Sequence, residues 1–243
     1  MRVLLAGLLM TTAATVTACG GSFGLLWHED GETPEGTPQR TVLVAHDSSG
    51  NHHDGVIQGK PALGLPGHRG TSYSFDLRGS WVEVPSTPAL NPEKGDFSLS
   101  MWVNFGSAPH GMHTYDIVRK GLSYTRTGEY KLEIIHGGLV RCTTKDVDGD
   151  RARISARGHP VTDGQWHRVG CSRAGSRWTV HVDGWSATER DRLGEISNTM
   201  PLSIGSKYGL EDMPQGRVDE VRLRIEGRTV GLWHLDERPA PTG

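Results

Sequence analysis

"DFSLSMWVNF", residues 96–105, alternates with a period of two. Phe97, Leu99, Met101, Val103 and Phe105 fall on one side of an extended chain, and Ser98, Ser100, Trp102 and Asn104 on the other. Successive side chains of a strand point to opposite faces, so this is a strand with one buried and one solvated face. The same period returns in "SRWTVHVDG", 176–184, where Trp178, Val180 and Val182 alternate with Thr179 and His181 before an Asp-Gly turn.

Working outward, strand patterns lie at Leu25–His28, Tyr73–Leu77, Trp81–Val84, Tyr115–Lys120, Tyr130–Ile135, Leu139–Thr143 and Ala152–Ala156. Others lie at Trp166–Ser172, Leu202–Ile204, Arg217–Ile225 and Val230–Leu235. Helical periodicity is almost absent, and 33 glycines with 13 prolines punctuate the runs. Short, regularly spaced strands broken by turn signals predict an all-β sandwich or barrel. No composition shift divides the chain, so one domain is expected over 25–243.

The chain has 243 residues and a formal net charge of −2. That balance gives no overall basic footprint, so nucleic acid is not an expected partner. No uncharged apolar run reaches about 18 residues, so no spanning helix is expected. The start, "MRVLLAGLLMTTAATVTAC", reads as a secretory signal over 1–18: a basic Arg2, a short apolar core, then small residues leading to Cys19. Val16-Thr17-Ala18-Cys19 resembles the lipobox of bacterial lipoproteins. The resemblance implies a diacylated Cys19, a tether over 19–24, and residence on the outer face of the bacterial cell membrane or outside the cell. Two acyl chains suffice for stable anchoring. An ordinary signal peptide with an incidental cysteine is the plainer alternative.

In an exported protein the two remaining cysteines, Cys142 and Cys171, favour a disulfide. Both sit in strand-like stretches, read as neighbours in one sheet. Two buried free thiols or half of a zinc site are the alternatives, and the absence of C-x-x-C argues against zinc.

Several segments in order resemble the concanavalin A-like lectin/glucanase superfamily, in its laminin G-like, pentraxin-like form found in exported bacterial lipoproteins. They are "LWHED" (26–30), "DSSGNHHDG" (47–55), "YSFDLRGSWVEVP" (73–85), "FSLSMWVNF" (97–105), "DGQWHRVGCSR" (163–173), "WTVHVDG" (178–184), "PLSIGS" (201–206) and "GRVDEVRL" (216–223). The resemblance implies a jelly roll of two packed antiparallel sheets, six or seven strands each. It also implies that the cysteine pair ties two neighbouring strands. The loop at 29–41 and the run after Val230 depart from the family's pattern.

"HDSSGNHHDG", 46–55, is either a metal loop or a capped turn. Asp47 and Asn51 bracket Ser48-Ser49-Gly50, which is good turn chemistry. The same oxygens suit calcium. The resemblance adds Asp219 of the "DEV" stretch, so Asp47, Asn51 and Asp219 are the candidate ligands of one structural calcium ion. His52 and His53 are read as solvent-facing. "DVDGDR", 146–151, lacks the glycine and glutamate an EF-hand needs and reads as a hairpin turn.

Enzymatic readings find little support. A retaining glycosidase needs two carboxyls about 5–5.5 Å apart. Glu189, Asp191 and Glu195 come nearest but are too widely spaced and interrupted by arginines and a glycine. There is no G-x-S-x-G elbow. Trp81, Trp102, Trp166, Trp178 and Trp233 sit in strand patterns and are read as core. Trp185, after an Asp-Gly turn, and the loop-side Tyr115 and Tyr208 are the candidate sugar-stacking residues.

The sequence reading is therefore a surface-anchored, non-catalytic lectin-like domain that binds a glycan or a surface protein. A purely structural envelope lipoprotein and a glycoside hydrolase of the same superfamily are the alternatives.

Overall fold

A computed structural model describes residues 42–239, which run through sixteen strands. The first are β1 (Val44–Ala45), β2 (Gly55–Gln58), β3 (Ala62–Pro66), β4 (Thr71–Asp76) and β5 (Trp81–Val84). Next come β6 (Phe97–Asn104), β7 (Tyr115–Lys120), β8 (Glu129–Ile135), β9 (Leu139–Lys145) and β10 (Arg151–Pro160). The last are β11 (His167–Ala174), β12 (Arg177–Val182), β13 (Trp185–Arg190), β14 (Leu202–Ile204), β15 (Gln215–Ile225) and β16 (Arg228–Trp233).

β6 shows how pattern becomes architecture. Phe97, Leu99, Met101 and Val103 are buried, and the intervening residues are half-exposed. β6 pairs with β11 on one side and β15 on the other, both antiparallel. The second sheet runs β13-β12-β11-β6-β15-β4-β3, with β16 added to the far half of β15. The first sheet runs β1-β2-β5-β14-β7-β8-β9-β10. Their apolar faces meet in one core that includes Tyr73, Phe75, Leu99, Tyr130, Leu132, Trp178, Val180 and Trp233. This is the expected two-sheet antiparallel sandwich of jelly-roll class.

The ends of the described chain are clasped together. Ser48 N–H donates to Leu232 O at 2.8 Å, and His46 N–H donates to the Glu237 carboxylate at 2.8 Å. The indole of Trp233 donates to His53 O at 2.8 Å. The seam joins the β1 edge of the first sheet to β16 of the second.

The structure departs from expectation in strand number, with eight strands in each sheet where six or seven were implied, and in the disulfide. β1, β2, β3 and β13 are the unforeseen strands: β1 and β2 are only two and four residues long, β3 is interrupted by Gly64, and β13 is a largely exposed strand at a sheet edge. The disulfide Cys142–Cys171 forms, with Cα atoms 5.6 Å apart, but β9 and β11 belong to opposite sheets. It therefore bolts the two layers through the core instead of tying neighbours within one sheet. The signal over 1–18, Cys19, the tether over 19–24, the strand at Leu25–His28 and the loop at 29–41 lie outside the described residues.

Candidate functional site

The outward residues of β6 are Ser98, Ser100 and Trp102, and the register of its neighbours decides what surrounds them. Ser100 stands between Arg222 of β15 and Gly170 of β11, and Gly170 in turn faces His181 of β12. Ser98 stands between Arg224 and Ser172. Trp102 stands between Arg168 and Asp219. Small side chains thus make a floor, and long ones on β15 and on β11–β12 make walls. The result is a trough holding two adjoining cavities of about 390 and 300 Å³, which share Ser100, Arg168 and Arg222.

One end of the trough is aromatic. The exposed imidazole of His68 stacks on the Trp102 indole, with ring centres 3.4 Å apart and planes 12° apart. Trp166 meets His68 edge-on at 6.4 Å, and the Arg217 guanidinium lies 5.3 Å from the Trp166 ring centre.

Asp219 holds His68 in place. A bulge between Asp219 and Arg222, with Glu220 at φ 55°, interrupts the pairing with β6. Bulges re-aim side chains, and here two buried residues, Val218 and Asp219, follow one another. The Asp219 carboxylate accepts the Arg69 N–H at 2.9 Å and so fixes the loop between β3 and β4. Gly67 in that loop comes so close that a Cβ would meet Thr71 O at 2.4 Å and Asp219 Oδ2 at 2.8 Å. Burial pushes the Asp219 carboxyl up to about 6, against the opposing bond from Arg69.

Arg69, Arg168, Arg222 and Arg224 line the trough together with the carboxylates Asp183 and Glu220. Burial and the nearby Arg168 charge both push His181 below its ordinary value. Each of these acids carries a histidine partner: Asp183 accepts from His167 at 2.9 Å, and Glu220 pairs with His234 at 2.8 Å. His167 is pulled down by burial but raised overall by its bonds to Asp183 and Asp163.

The expected ligand-binding residues do not gather. Tyr115 is only 4% exposed and stacks on Phe105 in the core, so it is a packing ring. The Tyr208 hydroxyl accepts from Gly121 N–H at 3.0 Å and donates to Pro201 O at 3.1 Å, while its ring meets Trp81 edge-on. Burial pushes that phenol up to about 12. Trp185 opens β13, is half-buried, and stacks on His159 at 4.1 Å. Trp178 and Trp233 are core residues as expected. Trp102 and Trp166, read as core, instead stand half-exposed at the trough. The signal was present in the alternation itself, which places Trp102 with the serines.

The candidate calcium ligands also part company. Asp47 accepts four donors: Ser49 N–H at 2.9 Å, Ser49 Oγ at 2.8 Å, His53 N–H at 3.0 Å and Leu232 N–H at 2.9 Å. The Asn51 amide donates to Thr229 O at 3.1 Å. These two build a capped turn that locks onto β16, and Asp219 shares none of their hydrogen-bond partners. The trio does not fit one calcium site. His53, expected to face solvent, is buried beneath the turn. Among the described residues no three His, Cys, Asp or Glu side chains cluster at metal-holding distance.

The acids nearest to a hydrolase pair lie elsewhere. Glu189, Asp191 and Glu195 do not line the trough. A second acidic group escaped sequence reading: Asp116 of β7 with Glu129 and Glu133 of β8, buried beside Arg119, Lys131 and Arg141. Burial opposes ionisation of Glu133, but Lys131 and Arg141 hold its carboxyl down at about 2. A carboxylate so paired is a poor proton donor at neutral pH.

Comparison with known proteins agrees with this architecture. Domain 4 of an extracellular arabinanase from Geobacillus stearothermophilus, solved in complex with arabinotriose, superposes with a TM-score of 0.56. It is 17% identical, covering 79% of this chain and 89% of that one. The binding domain of botulinum neurotoxin DC, solved in complex with SialylT, gives 0.56 at 12% identity, covering 75% and 47%. Mouse laminin alpha1 domains LG4-5 give 0.53 at 14% identity, covering 76% and 49%. In sequence, Neurexin-2-beta of Mus musculus is 28% identical over 182 residues, 75% of this chain. The chain spans only 24% of that relative's length. The laminin G-like family model, described as concanavalin A-like lectin/glucanases superfamily, matches residues 76–224, more than half of the chain. The chain therefore belongs to the laminin G-like branch of the concanavalin A-like lectin/glucanase superfamily.

Proposed function

We propose that the protein is a non-catalytic recognition domain that holds a glycan on the outer face of its second sheet. The stacked Trp102–His68 pair at the head of an open trough carries this reading. An outward aromatic pair offers a sugar ring an apolar face at low conformational cost, and the serines beside it offer hydroxyls. The arabinotriose and SialylT complexes of the two structural relatives lend support. The test is a glycan array followed by titration of the best binder. Trp102→Ala is expected to weaken binding about tenfold or more while leaving the melting temperature nearly unchanged. Equal binding by wild type and variant would move the site off this face, and no glycan bound at all would favour a purely structural envelope role.

Anchoring through a diacylated Cys19 completes the proposal and places the trough outside the cell. Metabolic labelling with a clickable fatty acid is expected to mark the wild-type chain and not Cys19→Ala. Unlabelled wild type would remove the anchor. For a structural calcium ion, Asp219 is the one member of the expected trio that suits the role. Its carboxylate is buried, and its Oδ1 has no hydrogen-bond partner.

A further inference from the structure

We propose that one end of the sandwich seats on a lipid bilayer, through an apolar rim beside the point where Val42 enters the fold. The proposal rests on the reading that the chain is anchored through Cys19, and it says which end of the domain then faces the membrane.

Topology gathers this rim. Antiparallel pairing puts the start of β1, the end of β2, the start of β5, the end of β14 and the start of β7 at one end of the first sheet. Four strand spacings, about 19 Å, separate β1 from β7 there. The loops at 77–80, 105–114 and 205–214 adjoin the same end. Among the described residues six large apolar side chains are exposed, and five belong to this rim: Val42, Leu43, Leu77, Met112 and Leu210. Met112 is 100% exposed and Leu210 78%, which is an unusual place for either side chain in a domain with a full core.

Two cavities meet at Leu210. The larger, about 320 Å³, takes in Leu77, His110, Tyr115, Leu210 and Met213 from all three loops. The smaller, about 230 Å³, adds Met200 and the sixth exposed residue, Tyr124. Leu77 supplies an independent sign. Its φ of 65° is a left-handed backbone that disfavours leucine, yet its side chain stands in water. Neither burial nor backbone preference accounts for leucine there, and strain of this kind gathers at binding sites.

The charge on the rim is mixed. Arg78 lies 3.5 Å from Asp76, Lys207 pairs with Glu211 at 2.6 Å, and Asp212 accepts the Thr114 N–H at 3.4 Å. Such a set exerts no net pull on anionic headgroups, so burial of the leucines and methionine in the headgroup–acyl boundary drives the docking. The place where the chain enters favours a bilayer over a protein partner. Residues 20–41 reach at most about 75 Å at full extension. A membrane that holds Cys19 therefore stays at high effective concentration around this end, and weak apolar contact suffices.

The experiment reconstitutes the acylated full chain into vesicles of phosphatidylethanolamine and phosphatidylglycerol and follows Met112 oxidation by dilute peroxide, using peptide mass spectrometry. Sulfoxide formation at Met112 is expected to slow about fivefold or more relative to the full-length Cys19→Ala chain without vesicles. Radical labelling of Leu77 and Leu210 should fall with it, while Trp102 in the trough is labelled as before. Raising the salt concentration should leave the protection unchanged. Leu77→Asn/Leu210→Ser should restore Met112 oxidation without lowering the melting temperature, because asparagine accepts the left-handed backbone. With vesicles, Cys19→Ala should need about tenfold or more lipid for the same protection.

Fast Met112 oxidation in an acylated chain that floats with its vesicles would overturn the docking and leave the anchor standing. A wild-type chain found without acyl groups, yet protected by vesicles, would remove the anchor and leave the docking standing. Protection that rises with protein concentration in the absence of vesicles would assign the rim to a second copy of the chain and overturn the proposal. Protection lost at high salt would replace apolar burial with headgroup charge and overturn it as well.

Discussion

Residue identity at two aspartates decides how the metal question resolves. Asp47 gathers four donors, one of them the Leu232 N–H of another strand. Removing that acceptor strands buried donors, which costs about 1–3 kcal/mol per unsatisfied group. Asp47→Ala is therefore expected to lower unfolding free energy by roughly 2–4 kcal/mol in urea titration, equally with calcium and with EDTA. Asp219→Asn is expected to abolish any calcium-dependent rise in melting temperature. A rise that survives Asp219→Asn and vanishes in Asp47→Ala would restore the turn as the metal site. The turn chemistry of Asp47 and Asn51 was legible because Asx side chains act on their own neighbours. Their contacts with β16 were not, because residues some 180 positions apart meet only once the fold closes.

At the scale of elements, legibility followed burial. β6 and β12 lie inside a sheet, with one face on the core, and their period of two is visible in the sequence. β13 at the sheet edge and the bulged β3 carry little of that pattern. Trp102 sits in a strand pattern and so reads as core, although its place in the alternation, beside the serines, points outward. β8 hides a different feature: Glu129 and Glu133 alternate with the core residues Tyr130, Leu132 and Ile134, so both face away from the core. Glu133 titrates at about 2 in the folded chain, below its ordinary 4.5. A depressed carboxylate contributes stability above its unfolded value and loses it as pH falls through the folded one. Wild type should therefore lose roughly 3 kcal/mol between about pH 5 and pH 2 that Glu133→Gln does not lose. The variant should already be destabilised at pH 7, because Lys131 and Arg141 lose a buried counter-charge. Parallel pH profiles for the two proteins, measured by urea unfolding, would contradict this account.

For the whole molecule, the two-layer sandwich was readable from spacing and turn signals, and the cysteine pair from compartment and count. Which layers the disulfide joins was not, since Cys142 and Cys171 have similar strand contexts in opposite sheets. Closing a loop with a sequence separation of 29 contributes about 3–4 kcal/mol in the chain-entropy picture. Cys142→Ala/Cys171→Ala is expected to lose about that much in chemical unfolding, while losing little glycan affinity, because the trough lies on the opposite face of its sheet. A variant that keeps its stability but loses binding would mean that the bolt shapes the site instead of the fold. The clasp between the β1 edge and β16 has a mechanical consequence. Because the two ends of the described chain meet at one seam, tension entering at one end can leave at the other without stretching either sheet. A domain hung by such a seam would behave as a pendant bead: force on the chain would strain the bonds of Ser48, His46 and Trp233 first, and the trough would keep its shape under load.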